Sequence, residues 1–562
     1  MKSRKGVIIR HVYREDTRQA FLGISYPLNG GGRCSSTFDL GLRESASKLR
    51  VALVQAGANL IGTKNAQEKM LAMALMDIPD KKLILVDKPG FRSTTAGPGY
   101  VLGKTMIGAA KGRYRWLATN ANEGIGASEG TLIEWQKRVA TLSAKSSYAM
   151  FWIFGALAAS LDSYVRLEVG KTEGVAPLMT EGVVFNSSGE GSTGKSTLGR
   201  LAASVWGSPD YVMEWDFTRR GLEEAAAAHN DGPFVIDDTD KLTETDLTKR
   251  VALKLVNQVV PKGQSKAISG RARNEYPQLR WSTFGFSSSL EPFDAEAIKA
   301  GFIRSAGEKY RLIDIPVPGQ AAGGIFDRIE GTDEYRKNEA ASLISKLELG
   351  VATSYGVLMS SWVEFLIAER RASRVHMLVM EFVKRIAPNA GGQEGRLAKK
   401  FGVIYAAGVL AINAGLLPWS ENESMRVVKK LYLLARRSLV SDADLAITRL
   451  KTLADASNNQ DTFPKHNGQM IEYSETTLGI RTRYDGHGVC CIRDKELGKL
   501  AGSKSVKNAL QKLLEGAQAI AKAPGAAGTI QHRLPITLDG KVHNRPRFWT
   551  IRVDKLIEAA TN

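Results

Sequence analysis

The pattern of hydrophobic and polar positions changes several times along the chain and divides it into four regions. Residues 1–125 carry short apolar runs, such as those at 6–9 and 82–86, with turn clusters such as 29–32 between them. Runs of this length between turn residues are typical of strands. One stretch, residues 43–57, repeats its apolar positions at helical spacing instead. We therefore predict a β-rich N-terminal accessory or collar domain over residues 1–125.

Beyond residue 126 the pattern first becomes helical and then alternates. The longest apolar segment, residues 149–161, is about thirteen residues long, which is too short to span a bilayer and predicts a buried helix. Residues 180–316 alternate strand and helix patterns, which indicates a parallel sheet. The sequence therefore predicts an α/β core over residues 126–320, with its ligand at the carboxyl ends of the strands.

The last two regions differ from this core. Residues 321–460 have an almost entirely helical pattern, as expected of a helical lid or bundle. Residues 465–562 are rich in turn residues, and fifteen Lys and Arg face seven Asp and Glu between residues 481 and 562. Two helix patterns and a strand pair follow one another there, at 496–500, 503–514, 529–538 and 547–553. This order predicts a basic winged-helix-like C-terminal domain, a common module for docking nucleic acid or protein.

The composition indicates which kind of partner and which cellular compartment to expect. Hydrophobic residues make up 43% of the chain, enough for real cores, and 77 Lys and Arg against 58 Asp and Glu give a net charge of +19. Such an excess favours nucleic acid as a partner over a merely basic soluble protein. The three cysteines form no CxxC pair, so neither a disulfide framework nor a zinc module is indicated. In the absence of a signal-peptide pattern we expect a cytoplasmic protein outside the membrane.

A complete phosphate-binding loop lies within the predicted core. Residues 189–196 read GEGSTGKS, of the form GxxxxGK[ST], between an apolar run at 182–185 and a helical pattern. Glycines let backbone N–H groups curl around an anion, and the new helix adds its positive end. Lys195 is placed to reach the β- and γ-phosphates of ATP, and the Ser196 hydroxyl to hold Mg²⁺. The predicted nucleotide contacts are Gly189, Gly191, Gly194, Lys195, Ser196 and Thr197.

Hydrolysis also requires an acid beside the metal and a group that orients water. The apolar run 233–236 leads directly into Asp237 and Asp238. We predict that Asp237 joins Ser196 as a Mg²⁺ ligand and that Asp238 polarises the attacking water, with Asp240 as the fallback acid. An acidic pair at the exit of a strand, without a catalytic role, is the alternative.

A third polar group follows the apolar strand pattern at 280–286. Three serines, Ser287, Ser288 and Ser289, end that strand, where a polar side chain commonly contacts the γ-phosphate or the water. The pattern does not choose among them, and Ser288 is the working candidate. Serines of a surface turn are the alternative.

The remaining catalytic requirement is a cation for the charge of the transition state. Arg304, Lys309 and Arg311 precede the strand pattern at 312–316. An arginine just before a strand is placed to act in trans, on the nucleotide of a neighbouring subunit. Arg311 is the first candidate, and a solvated or salt-bridged arginine is the alternative.

Basic residues also concentrate between the acidic strand and the serine strand. Eight Lys and Arg lie between residues 249 and 281 against one acid, Glu275. The segment 261–266 suits a loop or hairpin, which could face a central pore and grip backbone phosphates. A solvated charged face is the alternative. The predicted nucleic-acid contacts are Lys262, Lys266, Arg271 and Arg273.

With these motifs assembled, the chain resembles the bacterial and phage P-loop family known as domain of unknown function DUF927, and through it the MCM-like AAA+ replicative helicases of mobile elements. The resemblance rests on a series of motifs at 130–135, 189–207, 221–223, 229–232, 263–266, 311–316 and 396–401. It implies an AAA+ module assembled as a ring, ATP hydrolysis at subunit interfaces and translocation on single strands. Arg396 becomes a second candidate for the arginine that acts in trans. Asp238 replaces the usual Glu, and Ser265 interrupts the usual Gly-Gln-Gly-Lys.

Two functions agree with these features. The first is an ATP- and Mg²⁺-dependent, hexameric DNA helicase of a mobile element or prophage, which translocates on single-stranded DNA and works with replication partners. The second is an ATP-dependent nucleic-acid-binding switch or assembly protein that does not unwind, and slow hydrolysis at the short Asp238 would suit it. Strand separation of a forked duplex distinguishes the two.

Overall fold

The structure is a computed structural model that divides into two compact units, residues 1–439 and 440–562. It describes residues 6–15, 19–79, 83–102, 105–109, 112–116, 124–169, 178–179, 181–215, 217–237, 256, 259–266, 278–293, 295–296, 304, 306–439, 442–466, 470–473, 477–502, 504–521, 530–531, 536–538, 541–543 and 547–561. Several sheets and many helices alternate, so the predicted mixed α/β class is confirmed. The four predicted domain boundaries stay predictions.

The N-terminal part contains two sheets, one with mixed and one with antiparallel strand pairs. The strands are β1 (Ile8–Arg14), β2 (Ala20–Pro27), β3 (Arg33–Asp39), β4 (Leu83–Val86), β5 (Gly90–Thr94), β6 (Gly97–Leu102), β7 (Thr105–Gly108) and β8 (Tyr114–Trp116). One sheet has the order β3-β2-β1-β4-β8 and the other β5-β6-β7. Alternate residues of β2 are buried, which is the period expected of a strand with one face on a core.

Helices α1 (Ala46–Gln55) and α2 (Lys64–Met76) cover that face. The helix predicted at 43–57 is therefore present as α1, and it begins where the Ser45 hydroxyl accepts a hydrogen bond from the Lys48 N–H at 3.3 Å. Leu49 and Leu53, one helical turn apart, are fully buried in α1. The spacing of these leucines is what made the helix visible in the sequence.

A five-stranded parallel sheet organises the middle of the chain. Its strands are β9 (Val183–Ser188), β10 (Met213–Glu214), β11 (Pro233–Asp237), β12 (Phe284–Ser289) and β13 (Leu312–Pro316), in the order β10-β11-β12-β9-β13. All neighbouring pairs are parallel. Every residue of β9 and β12 is buried, as in a sheet with both faces covered. Because all five strands run the same way, their carboxyl ends share one edge.

The helices around this sheet are α3 (Ser147–Ala158), α4 (Leu161–Val169), α5 (Lys195–Trp206) and α6 (Arg219–Ala228). All twelve residues of α3 are buried, as the apolar run predicted. Among the described residues, one stretch, Ser147–Glu168, is long and apolar enough to cross a bilayer, but 94% of its most apolar window is buried inside the protein. This stretch comprises α3 and α4, which are core helices of the protein.

A run of helices follows the sheet, as the pattern after residue 320 predicted. They are α7 (Asp333–Thr353), α8 (Val357–Glu369), α9 (Ala372–Ile386), α10 (Gly392–Asn413) and α11 (Glu421–Ser438). The Ser420 hydroxyl and the Glu423 carboxylate form a capping box at the start of α11. Helix α10 contributes fourteen buried residues, and its Phe401 ring packs against Phe151 and Phe185. These contacts fix α10 against the sheet.

The second unit, residues 440–562, has its own core. Its helices are α12 (Asp442–Ser457), α13 (Asp494–Ala501), α14 (Lys504–Gly516) and α15 (Val553–Thr561). Its strands are β14 (Ile471–Glu472), β15 (Gly479–Tyr484), β16 (His487–Ile492), β17 (Ile530–Gln531), β18 (Ile536–Leu538), β19 (Lys541–His543) and β20 (Arg547–Arg552). Cys490 and Cys491 are buried in β16, and burial raises the pKa of each thiol to about 12. The winged-helix assignment stays a prediction.

Candidate functional site

The phosphate loop connects the carboxyl end of β9 to the first turn of α5, as its motif predicted. Gly189 has a φ of +149° and Gly194 a φ of +93°, a region that glycine enters without strain. A Cβ atom at Gly189 would lie 2.7 Å from the Val317 carbonyl oxygen. At Gly191 it would approach nothing closer than 4.0 Å, so sterics do not demand glycine there. Ser192 also lies in the left-handed region, with a φ of 58°, and such backbone strain clusters at functional sites.

Lys195 is the first residue of α5, and its side chain folds back over the loop. Its Nζ donates hydrogen bonds to the carbonyl oxygen of Gly189, at 2.7 Å, and to that of Glu190. The side chain is 8% exposed. The ammonium therefore lies inside the curl of the loop, where the phosphates of a nucleotide would lie. Ser196, half-buried in the same helical turn, follows it.

A cavity of about 540 Å³ opens beside the loop, between α5 and α7. Its wall on α7 combines apolar and charged side chains: Lys337, Ala340, Ala341, Ile344, Ser345 and Glu348. The Thr197 hydroxyl donates to Glu348 Oε1 at 2.6 Å, and Arg200 pairs with the same oxygen at 2.8 Å. Glu348 thus joins the loop helix to α7. The helical pattern of residues 321–460 gave no signal for this residue.

Asp237 and Ser288 meet at the same edge of the sheet. Asp237 is the last residue of β11, and the Ser288 hydroxyl on β12 donates to its Oδ1 at 2.9 Å. The neighbouring serines turn elsewhere, because side chains alternate along a strand. Ser289 donates to the Glu291 carbonyl, and the Ser287 hydroxyl is buried without a hydrogen-bond partner in the part of the chain that the structure describes. Among the three serines, Ser288 is the one that contacts the predicted metal ligand.

Arg304, one of three cations considered before β13, forms its contacts within its own chain. It is 7% exposed, and its guanidinium pairs with Asp314 at 3.4 Å and donates to the carbonyls of Glu308 and Leu312. Asp314 in turn accepts from Asn186 Nδ2 on β9 at 2.7 Å. Lys309 is also buried, at 9% exposure. Arg304 therefore stabilises the segment that leads into β13.

Arg311 and Arg396 both lie near Lys400, at the opposite edge of the sheet. Arg311 Nε donates to Glu181 Oε2 at 2.7 Å, and the Arg311 side chain is 44% exposed. Lys400 donates to Glu181 Oε1 at 3.4 Å and to the Tyr310 carbonyl at 2.8 Å. Arg396 lies one helical turn before Lys400 on α10, on the same face and exposed. We call Arg311, Arg396, Lys400 and Glu181 the arginine cluster.

The charges of the arginine cluster act on one another. Burial, with the charges of Arg311 and Arg396 acting in the same direction and Glu181 against them, lowers the pKa of Lys400 to about 8. Burial acts to raise the pKa of Glu181, but its bonds to Arg311 and Lys400 outweigh burial and leave that pKa below its usual value. Glu181 thus shares one carboxylate between two cations. This pairing spans 130 and 219 residues of sequence, and no local motif indicates it.

The segment around Lys262 forms one side of an antiparallel stem. The Trp281 N–H donates to the Gly263 carbonyl, and the Ser265 N–H donates to the Leu279 carbonyl, both at 2.9 Å. The Ser265 hydroxyl, 1% exposed, accepts from the Leu279 N–H at 3.0 Å. Ser265, which departs from the family pattern, therefore links the two sides of this stem by hydrogen bonds. Lys262 and Lys266 are exposed on it.

Four residues named in the sequence analysis, Asp238, Asp240, Arg271 and Arg273, lie outside the described residues. Their roles stay predictions.

The comparisons with known proteins agree with the motifs. Residues 7–275 match the domain of unknown function DUF927. The family resemblance predicted from the sequence is thereby confirmed over this stretch. A solved structure described as "SCCmec type IV Cch - active helicase" resembles the chain with a TM-score of 0.59 and 16% identity, over 99% of this chain and 95% of that one. At this identity the likeness shows a shared fold. No curated protein matches the chain.

The DUF927 match contains part of the site only. It covers the phosphate loop, Asp237 and the first side of the stem, and it ends at residue 275. Ser288, Arg311 and Arg396 lie beyond it. The shared fold extends over the whole chain and is what relates these later residues to a known architecture.

Proposed function

We propose that this protein is an ATP-driven DNA helicase that works as a hexameric ring and serves the replication of a mobile element or prophage. The observation that carries the proposal is the placement of its catalytic groups at two opposite edges of one sheet. The phosphate loop, Asp237 and Ser288 lie at the carboxyl edge, and the arginine cluster lies at the other. One subunit therefore supplies only part of a hydrolytic site.

At the carboxyl edge, the residues fit a nucleoside triphosphate with Mg²⁺. The loop offers a curl of backbone around the Lys195 ammonium, and the Ser196 hydroxyl and the Asp237 carboxylate supply the oxygen ligands that Mg²⁺ prefers. Bound there, the metal would neutralise charge on the β- and γ-phosphates. Ser288 would orient Asp237, and Asp238 would polarise the attacking water. The side of the cavity that α7 forms would contact the rest of the nucleotide.

At the other edge, the arginines need a nucleotide that their own subunit does not present. Strand β9 has six residues, which separates the two edges by about 20 Å at ~3.3 Å per residue. An arginine side chain cannot cross that distance. Arg311 is 44% exposed and would reach the triphosphate of the next subunit, with Arg396 beside it. This geometry supports hydrolysis at subunit interfaces, as in an AAA+ ring.

Three further observations support movement on single-stranded DNA. The net charge of +19 favours a polyanion. Lys262 and Lys266 are exposed on the stem, where basic side chains would grip phosphates, and Arg271 and Arg273 follow them in the sequence. In the strand order β10-β11-β12-β9-β13, the strand that leads into the phosphate loop, β9, lies between β12 and β13. This order suits the proposed AAA+ core. The fold is also shared with a protein described as an active helicase.

The test is ATP-dependent unwinding of a forked DNA duplex by the full chain. Wild-type protein is expected to hydrolyse ATP and separate the strands, and Lys195→Ala to do neither. Lys346→Ala, an exposed lysine of α7 that does not line the cavity, is the matched control and should behave as wild type. Normal unwinding by Lys195→Ala would overturn the proposal. Nucleotide-dependent assembly on DNA without strand separation would favour the switch protein instead.

A further inference from the structure

A second cavity, of about 450 Å³, opens at the arginine-cluster edge of the parallel sheet. Its floor is made of residues just before the strands, including Gly182 before β9, Asp231 two residues before β11 and Thr283 before β12. The root of the basic stem forms one wall, and the segment around Lys88 that leads into β5 forms another. We call it the edge cavity. It lies a full strand length away from the phosphate loop.

Five cationic side chains line the edge cavity: Lys88, Arg92, Arg166, Lys262 and Arg280. Two of them are already neutralised. Arg166 pairs with Asp162 at 2.6 Å, and Arg92 pairs with Glu15 at 3.2 Å. The other three form no ion pair with any described carboxylate. The cavity therefore holds an excess of positive charge on Lys88, Lys262 and Arg280.

The three acids of the lining do not cancel that excess, because Asp162 and Glu181 hold cations of their own and Asp231 alone opposes the three remaining cations. Asp162 holds Arg166 and accepts from the Met179 N–H at 3.2 Å. Glu181 belongs to the arginine cluster. Asp231 accepts from the Phe91 N–H at 2.9 Å and from the Ser163 hydroxyl at 2.6 Å. Burial raises the pKa of Asp231 to about 6, so this carboxylate loses its charge more readily than an exposed one.

Lys88 is the most constrained of the three cations. Its Nζ donates to the Arg280 carbonyl at 2.9 Å, and burial lowers its pKa, with Arg92 and Arg280 acting in the same direction against Asp231 and Asp87. Burying an ammonium near the charges of Arg92 and Arg280 costs free energy, and an anion among them would offset that cost. A charged lysine placed this way is typical of an anion site.

We propose that the edge cavity binds a phosphate group, with Lys88, Lys262 and Arg280 as its contacts. Three cations match two or more successive backbone phosphates, or one phosphate monoester, better than they match the single charge of a carboxylate. A volume of about 450 Å³ exceeds what a lone ion fills and admits a nucleotide-sized ligand. The phosphate can come from a nucleic-acid backbone, which the neighbouring basic stem would continue to hold, or from a free nucleotide or inorganic phosphate.

The binding site can be tested apart from hydrolysis. The full chain carrying Lys195→Ala, which impairs the phosphate loop, is the background for two added substitutions, Lys88→Met and Arg280→Gln. Lys384→Met, an exposed residue of α9 outside the cavity, removes the same charge and is the matched control. Arg280 is exposed, so its substitution does not threaten the fold, and circular dichroism checks Lys88→Met.

Two probes distinguish the sources of phosphate. Binding of a fluorescent dT oligonucleotide is measured over a range of salt, and stabilisation against heat is measured with inorganic phosphate. If the backbone is the ligand, each substitution lowers oligonucleotide affinity about 10-fold and reduces the salt slope by about one. If the ligand is free, the phosphate-induced rise in Tm disappears instead. Variants that match the Lys384→Met control with both probes would overturn the proposal. Loss of unwinding alone bears on the proposed helicase and not on this site.

Discussion

The Ser288 hydroxyl donates a hydrogen bond to Asp237 Oδ1 at 2.9 Å, and this bond ties the ends of β11 and β12 together beside the phosphate loop. The two residues are 51 positions apart in sequence. The parallel sheet brings them together because β11 and β12 are neighbours with Ile236 opposite Ser287. The bond fixes the orientation of the carboxylate that we assign to Mg²⁺.

Replacing Ser288 with alanine should therefore slow hydrolysis while leaving nucleotide binding intact. The carboxylate loses the donor that orients it, and we expect kcat for ATP to fall by about 10- to 100-fold with little change in nucleotide Kd. Ser287→Ala is the control, since its hydroxyl does not contact Asp237. Equal losses in the two variants would argue for a merely structural role of the serines.

Arg311 should act on the nucleotide of the neighbouring subunit, and mixing experiments can show this. Arg311→Ala and Lys195→Ala are each expected to lose hydrolysis on their own. In mixed rings, some interfaces combine an intact loop from one subunit with an intact arginine from the next, so ATPase activity should partly return. Arg396→Ala mixed with Lys195→Ala tests the second arginine in the same way. If no mixture recovers activity, the arginines do not act in trans.

Hydrolysis should also decline as the pH rises above about 8. Lys400 has a pKa of about 8, so its charge is present below that pH and lost above it. Once Lys400 is neutral, Glu181 forms an ion pair with Arg311 alone and binds it more tightly. Arg311 is then less free to reach a neighbouring triphosphate. A profile of kcat from pH 6.5 to about 9.5 measures this.

Lys400→Met should remove the inflection and give low activity throughout that range. Lys399→Met, at the adjacent exposed position, should keep the wild-type profile. An unchanged inflection in Lys400→Met would mean that another group titrates. Glu181→Gln is expected to weaken the hold on Arg311 and to flatten the profile as well.

Glu348 should contribute to nucleotide affinity through its link between α5 and α7. Glu348→Ala removes the acceptor of Thr197 and the partner of Arg200. We expect KM for ATP to rise by up to about 10-fold with a smaller effect on kcat, the scale of a hydrogen bond and a partly exposed ion pair. Glu334→Ala, an exposed acid of the same helix, is the control. Steady-state kinetics with unaltered KM would contradict the assignment.

The parts of the site that the sequence predicted are those whose signals are local. The phosphate loop, Asp237 at the end of an apolar strand and the stem at Lys262 are each contained in one short segment. The parts it missed depend on distant partners. Glu348 meets Thr197 across 151 residues, and Glu181 meets Arg311 across 130, so only the folded chain brings them together. The edge cavity is assembled from the ends of several strands and has no motif.

The same reasoning applies to the fold. Helix α3 and helix α1 were predictable because their apolar spacing is contained within one element. The serine strand could not reveal which hydroxyl faces Asp237, because this depends on the register between β12 and β11. Asp314 likewise belongs to a short apolar strand pattern, and its hydrogen bond from Asn186 Nδ2 becomes visible only when β13 pairs with β9.

Strand β9 is flanked on both sides by other strands and completely buried, and it connects Glu181 at one end to Gly189 at the other. A strand that is hydrogen-bonded on both sides cannot slide along its own axis without breaking the ladders to both neighbours. The length and register of β9 therefore fix the distance between the phosphate loop and the carboxylate that holds Arg311. One strand thus keeps the two edges of the sheet, with the loop at one and the arginine cluster at the other, at a constant spacing.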